Sequence, residues 1–137
     1  MIEAKGKCFC GGVRFTVEVD PSKVALCHCV DCQQVSGSAF RHTVFADKTT
    51  LEFQSGNVTS FDKVGDSGNT RCQLFCATCG TNIGSVPAEG DPTPFASIRV
   101  PILDIKDQLP PRVSVWNQSH VDWLDGLNAL PFLDQQS

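Results

Sequence analysis

The chain has no basic surface to offer: its 11 Lys and Arg residues are scattered among 15 Asp and Glu, for a formal net charge of -4. Nucleic acid and anionic membrane attract proteins through clustered cations, so neither is an expected partner. No apolar run approaches the ~18 residues that a spanning helix requires, and the opening "MIEAKGKCFCGG" lacks the apolar stretch of a signal peptide. The expectation is a cytoplasmic protein with no membrane association. Internal repeats, low-complexity segments and linkers are missing too. A chain of 137 residues, 41% hydrophobic and 19% charged, is then expected to fold as a single zinc-binding domain over residues 1–137.

What the chain holds in excess is cysteine, with eight residues. In a reducing compartment they read as metal ligands before they read as a disulfide framework. Seven fall into three groups, "CFCGG" at 8–12, "CHCVDC" at 27–32 and "CATCG" at 76–80, and Cys72 stands apart.

The segments between them are short and strand-like. "VRFTVEV" at 13–19 alternates Val13, Phe15, Val17 and Val19 with polar residues, the period-two pattern of a half-buried strand, and Asp20-Pro21 is expected to end it in a turn. Further strands are expected at 23–28, 40–46, 50–54, 58–63, 70–75, 81–86, 95–102 and 112–116, with helical turns at 30–36 and 120–127. Many short strands at regular spacing argue for an all-β fold of small sheets. Phe40, Phe45, Trp116 and Trp123 are read as core.

Tetrahedral zinc with Zn–S bonds of about 2.3 Å brings two sulfurs to about 3.8 Å. Residues i and i+2 of a straight strand lie about 6.7 Å apart. Cys8 and Cys10 can therefore chelate together only where the backbone curls, and Gly11 and Gly12 follow at once. "CATCG" supplies a Cys-x-x-Cys turn with Gly80 behind it. A full thiolate shell leaves no open position, so Cys8, Cys10, Cys76 and Cys79 read as a structural zinc site, with disulfides or surface cysteines as the competing account.

Cys27, Cys29 and Cys32 offer three ligands from one tight loop, which suits zinc with its fourth position left for water or substrate. Two alternatives stay open for Cys72: it closes that shell as a fourth ligand, or it is a small buried hydrophobe in a strand. His28 alternates with two ligand cysteines, so its ring is expected to point away from the metal they share. His42 reads as a core or pocket histidine and Asp31 as a solvated loop acid. No residue declares itself a general acid.

"CFCGGVRFTV", "CHCVDCQQVSGSAF", "FCATCGTNI" and the tail "HVDWLDGLNALPF" together resemble the family of glutathione-dependent formaldehyde-activating enzymes, which also includes centromere protein V. The resemblance covers nearly the whole chain in the family's order. It implies a coiled β fold shared with the zinc-bound Rab-exchange chaperone and methionine-R-sulfoxide reductases. It implies two zinc ions, with Cys8, Cys10, Cys76 and Cys79 matching the structural ligands and Cys27, Cys29 and Cys32 the catalytic ones. Trp123 falls on the family's C-terminal tryptophan, and Cys72 lies outside the motif.

The implied activity is that of a carbon–sulfur lyase acting in the condensing direction, with glutathione and formaldehyde as partners and S-hydroxymethylglutathione as product. The carboxylates of such a substrate need cations, for which Arg14, Arg41, Arg71, Arg99 and Arg112 are the unranked candidates. A zinc-stabilised binding or carrier module without turnover is the rival from another class. Methionine sulfoxide reduction with Cys72 as nucleophile is a third, weakened because "CFCGG" lacks the Cys-x-x-Cys pair of that relative.

Overall fold

The computed structural model describes residues 1–136. Nine strands and one short helix follow in chain order: β1 (Ile2–Lys7), β2 (Arg14–Cys27), α1 (Val30–Ser36), β3 (Arg41–Asp47), β4 (Glu52–Ser55), β5 (Val58–Val64), β6 (Thr70–Cys76), β7 (Asn82–Pro87), β8 (Phe95–Arg99) and β9 (Val113–Val115). The protein is mostly β-sheet, as its strand-rich sequence predicts. The strands join in one hydrogen-bonded network of order β1-β2-β3-β8-β7-β6-β5, with β4 and β9 also paired to β2, where separate small sheets were expected.

β2 is the spine of this network, and it corrects the expected turn at Asp20-Pro21. The strand runs through that dipeptide as a bulge: Val19 pairs with Ala46 and Val24 with Val44, so five steps on β2 are matched to two on β3. Asp20 folds the extra residues locally, its Oδ1 accepting from the Ser22 amide at 3.0 Å and the Ser22 hydroxyl at 2.6 Å. Pro21, with no N–H to give, sits where the ladder is interrupted. The bulge also shifts the alternation. Val19 and Val24 differ by an odd number of residues, yet both are fully buried in the same core, which an unbroken strand would forbid.

β1 has no counterpart among the expected strands, because its inward residues are Ala4 and Gly6, which carry little β signal. Packing explains the choice. A Cβ added to Gly6 would lie 2.1 Å from the Phe15 ring, so the cross-strand neighbour Phe15 occupies the space a side chain would need. The strand expected at 95–102 ends at Arg99, where Pro101 starts a 3-10 turn over Val100–Ile102. The helical turn expected at 120–127 is a 3-10 segment over Asp122–Ala129.

One face of the sheet carries the core. Val24, Val44, Ala46, Ala96 and Ile98 are fully buried there with Phe15, Val17, Ile83 and Leu109, each large side chain contributing about 1.5–3 kcal/mol relative to exposure. Phe45, Trp116 and Trp123, expected in the core, are 46%, 46% and 60% exposed. Phe45 faces away from it because it alternates with buried Val44 and Ala46.

The opposite face is polar. Cross-strand register places Cys27 opposite Arg41, Thr43 opposite Arg99, and Ser97 opposite Ser85, which in turn pairs with Gln73. Thr43, Gln73, Ser85, Ser97 and Arg99 are all buried. Thr43 and Ser97 join their hydroxyls, and Thr43 also donates to the Ile98 carbonyl at 3.0 Å. No helix among the described residues is long and apolar enough to cross a membrane.

Candidate metal centres

The first cysteine group forms where two hairpin ends meet. β1 stops at Lys7, and the chain turns through Cys8–Gly12, with the Gly11 amide donating to the Cys8 carbonyl at 3.0 Å. After β6 a matching turn is closed by the Gly80 amide on the Cys76 carbonyl at 2.9 Å. Gly11 has φ 78° and Gly80 φ 77°, left-handed values that favour glycine. The Phe9 amide, donating to Thr81 Oγ1 at 2.9 Å, ties the two turns together.

This arrangement brings the sulfurs of Cys8, Cys10, Cys76 and Cys79 within 4.8 Å of one another. Cys8 and Cys10 are 3.4 Å apart, and Cys10 and Cys76 3.9 Å, which brackets the spacing a tetrahedral thiolate site needs. Crowding splits their acidities. The Thr81 hydroxyl and amide draw Cys79 down to about 5. Cys10, although the Gly12 amide favours its thiolate, is pushed up to about 11 by its contact with Cys8. Four thiolates cannot share this space without a cation, and a bound divalent ion lets them all ionise. The donor set fits zinc.

The second group is built by one tight connection. Cys27 closes β2, Cys29 is the N-cap of α1, and Cys32 lies in the helix's first turn. The Cys29 sulfur accepts the Cys32 amide at 3.3 Å, standing in for the oxygen of a usual cap. Gly37 ends the helix at φ 62°, its amide on the Gln33 carbonyl. Gln33 pins the loop, donating from Nε2 to the His28 carbonyl at 2.7 Å and the Ser119 carbonyl at 3.0 Å. The three sulfurs lie within 4.8 Å of one another. Cys27 is drawn down to about 5, first by a hydrogen bond from Cys32 and also by the charge of Arg41, while the same contact and burial push Cys32 up. This donor set also fits a thiophilic ion.

Cys72, on β6 opposite Asp62 and Val86, joins neither cluster among the described residues; it is half-buried. His28 is outside the cluster as well. It is 5% exposed, its ring 5.6 Å from that of Phe40 and 6.3 Å from that of His120. His42 is half-buried with Nε2 3.1 Å from the Leu109 carbonyl, and burial lowers its pKa. Asp31 is on α1, paired with Lys63 at 3.0 Å.

The structure ranks the arginines that the sequence leaves equal. Arg41 and Arg99 stand beside the three-cysteine group; both their charges act on Cys32. Arg99 is 5% exposed. Among the described residues its one hydrogen bond runs from Nη2 to Gln73 Oε1 at 3.4 Å, and its Nε and Nη1, like Arg41 Nε, have no partner there. Burial, reinforced by Arg41, takes its pKa down to about 9. Arg71 donates instead to the carbonyls of Ser85 and Phe95.

One cavity of about 1000 Å³ lies away from the three-cysteine group, beside Cys8, Phe9, Arg14 and Lys106. A smaller pocket of about 260 Å³, lined by His28, Asn117, His120 and Asp125, lies next to the three-cysteine loop. Chemistry, rather than size, makes the second region the candidate reactive end.

The sequence profile of the family described as "Glutathione-dependent formaldehyde-activating enzyme" matches residues 3–119. The crystal structure of a Rhodobacter sphaeroides protein, a structural-genomics target, resembles this fold with a TM-score of 0.61 and 22% identity, over 80% of this chain and 98% of that one. The comparison with curated proteins finds no match.

Proposed function

This chain belongs to the glutathione-dependent formaldehyde-activating enzyme family, and on that premise we propose that it condenses glutathione with formaldehyde at Cys27, Cys29 and Cys32. The product is S-hydroxymethylglutathione, the work of a carbon–sulfur lyase running in the condensing direction. Cys8, Cys10, Cys76 and Cys79 hold a structural zinc ion in this reading, and Cys27, Cys29 and Cys32 hold a second, reactive one.

The observation that carries the reading is the unequal count of donors. One group gathers four sulfurs and the other three, and among the described residues no fourth cysteine, histidine or carboxylate joins the three. Zinc held by the three would supply a Lewis-acid position at which an incoming thiol is acidified. The chain's own contribution is geometric: the β2 terminus and the capped first turn of α1 fix the three sulfurs before substrate arrives. In the reaction the glutathione S–H bond breaks and its proton leaves. The sulfur then bonds to the formaldehyde carbon as the C=O π pair moves to oxygen, which takes up a proton.

Thiols add to formaldehyde without a catalyst, so the test is acceleration over that background. Adduct formation is followed by NMR for the wild type, Cys29→Ser and a protein-free control. The expected result is a wild-type rate at least about a hundredfold above the other two. Equal rates in all three would leave a zinc-stabilised binding or carrier module as the better account.

A further inference from the structure

We infer that Arg41 and Arg99 are the charge partners of the three-cysteine site and make its open position select an anionic ligand over a neutral one. The inference rests on the reading of Cys27, Cys29 and Cys32 as metal ligands, and it deepens that reading by assigning the preference for a thiolate to two residues outside the cysteine motif.

Register puts both arginines at this site. Arg41 is the cross-strand partner of Cys27, and Arg99 is the partner of Thr43, two residues along β3 on the same face. Among the described residues, buried Arg99 has two donor nitrogens without a partner, and Arg41 one, its Nε. Burial disfavours the charge of Arg99, and the half-buried guanidinium of Arg41 adds repulsion to it. Such an arrangement persists where an anion compensates it.

The charge count shows which anion. Three thiolates around a divalent ion carry one net negative charge, and a thiolate added in the fourth position brings a second. Two guanidiniums match that total. A neutral fourth ligand leaves one positive charge in surplus in a buried setting.

Of the other cations, Lys63 is paired with Asp31 at 3.0 Å, and Arg71, donating to two backbone carbonyls, has Asp91 as its opposite charge. The four-cysteine group needs no such partner. Cys10 is exposed, and Cys8 accepts the Val13 amide at 3.2 Å, so water and backbone dipoles can solvate its charge.

The experiment uses the full-length protein loaded with cobalt(II), whose visible spectrum reports on ligands entering the open position. Azide serves as the anionic probe and imidazole as the neutral one, for the wild type, Arg41→Gln, Arg99→Gln and the two Lys variants. In each glutamine variant azide affinity is expected to fall about tenfold or more while imidazole affinity changes less than about twofold, and lysine is expected to restore much of the loss. Azide affinity unchanged by both glutamine variants, or azide and imidazole weakened alike, overturns the inference. Arg41 is half-buried, so Arg41→Gln decides the matter if Arg99→Gln fails to fold. Glutathione is titrated separately into the wild type: its failure to bind while azide remains arginine-dependent removes the proposed substrate and leaves the charge partnership standing.

Discussion

The two cysteine groups meet the same electrostatic problem with different means. At Cys8, Cys10, Cys76 and Cys79, four sulfurs sit in two glycine-ended turns, two of the residues buried and one exposed, with backbone amides and the Thr81 hydroxyl directed at them. At Cys27, Cys29 and Cys32, two of three residues are buried, and besides the Cys32 amide on the Cys29 sulfur the charges of Arg41 and Arg99 act on the group. A site with a complete donor set has nothing left to bind. A site with one donor missing and positive charge in reserve is built to take something in. The difference teaches that ligand count and charge environment vary together here, and each can be broken separately.

The largest effect on stability is expected from Cys76→Ser. Cys76 is 1% exposed and belongs both to the core and to the four-sulfur group. Metal-linked folding energy at structural thiolate sites is on the order of 10 kcal/mol, comparable to the whole net stability of a domain. Circular dichroism should show a chain without a cooperative transition, and a strong chelator should do the same to the wild type. A folded, cooperative Cys76→Ser protein would remove the structural half of the comparison.

Next in size is the core beneath both sites. Ile98→Ala removes a fully buried side chain and should cost about 2–5 kcal/mol in urea denaturation. Because β8 lies between β3 and β7, the loss should weaken the scaffold without changing metal stoichiometry at either group. Loss of one metal alone would show that β8 supports that group in particular.

Cys29→Ser should separate the groups most sharply. Serine is a good N-cap, so α1 keeps its first-turn acceptor and stability is expected to change by about 1 kcal/mol or less. The bound metal, measured by native mass spectrometry, should fall by one ion per chain while the fold persists. Loss of both ions, or unfolding, would mean that the three-cysteine group is as structural as the four.

What could be read in advance follows from the range of the interaction responsible. Chelation forces sulfurs to within a few ångströms, so Cys8 with Cys10, Cys76 with Cys79, and Cys27 with Cys29 and Cys32 are visible as local spacing, and their glycines with them. The strand alternation of Phe15, Val17 and Val19 is visible for the same reason. Arg41 and Arg99 are not, because their place beside Cys27 is set by the β2–β3 and β3–β8 registers, which local pattern does not encode. A signal did exist: Arg99 follows Ser97 on alternate positions of a strand whose intervening residues, Ala96 and Ile98, are core. β1 was hidden by the small residues that Phe15 requires opposite it, and the bulge at Asp20 by a proline that elsewhere ends strands.

The smallest expected effect concerns Lys63, whose ammonium also lies near the three-cysteine group. Its partner Asp31 is 3.0 Å away, with side chains 31% and 58% exposed, and exposed pairs of this kind contribute about 0.2–1 kcal/mol. Lys63→Ala should therefore change stability by about 0.5 kcal/mol and leave anion binding at the open position unchanged. The contrast with Arg41 is the point. Asp31 offsets the charge that Lys63 presents to Cys29 and Cys32, whereas among the described residues no carboxylate pairs with Arg41 or Arg99. Should Lys63→Ala weaken azide as much as Arg41→Gln does, the site responds to net positive charge in its neighbourhood, and the specific role given to the two arginines fails.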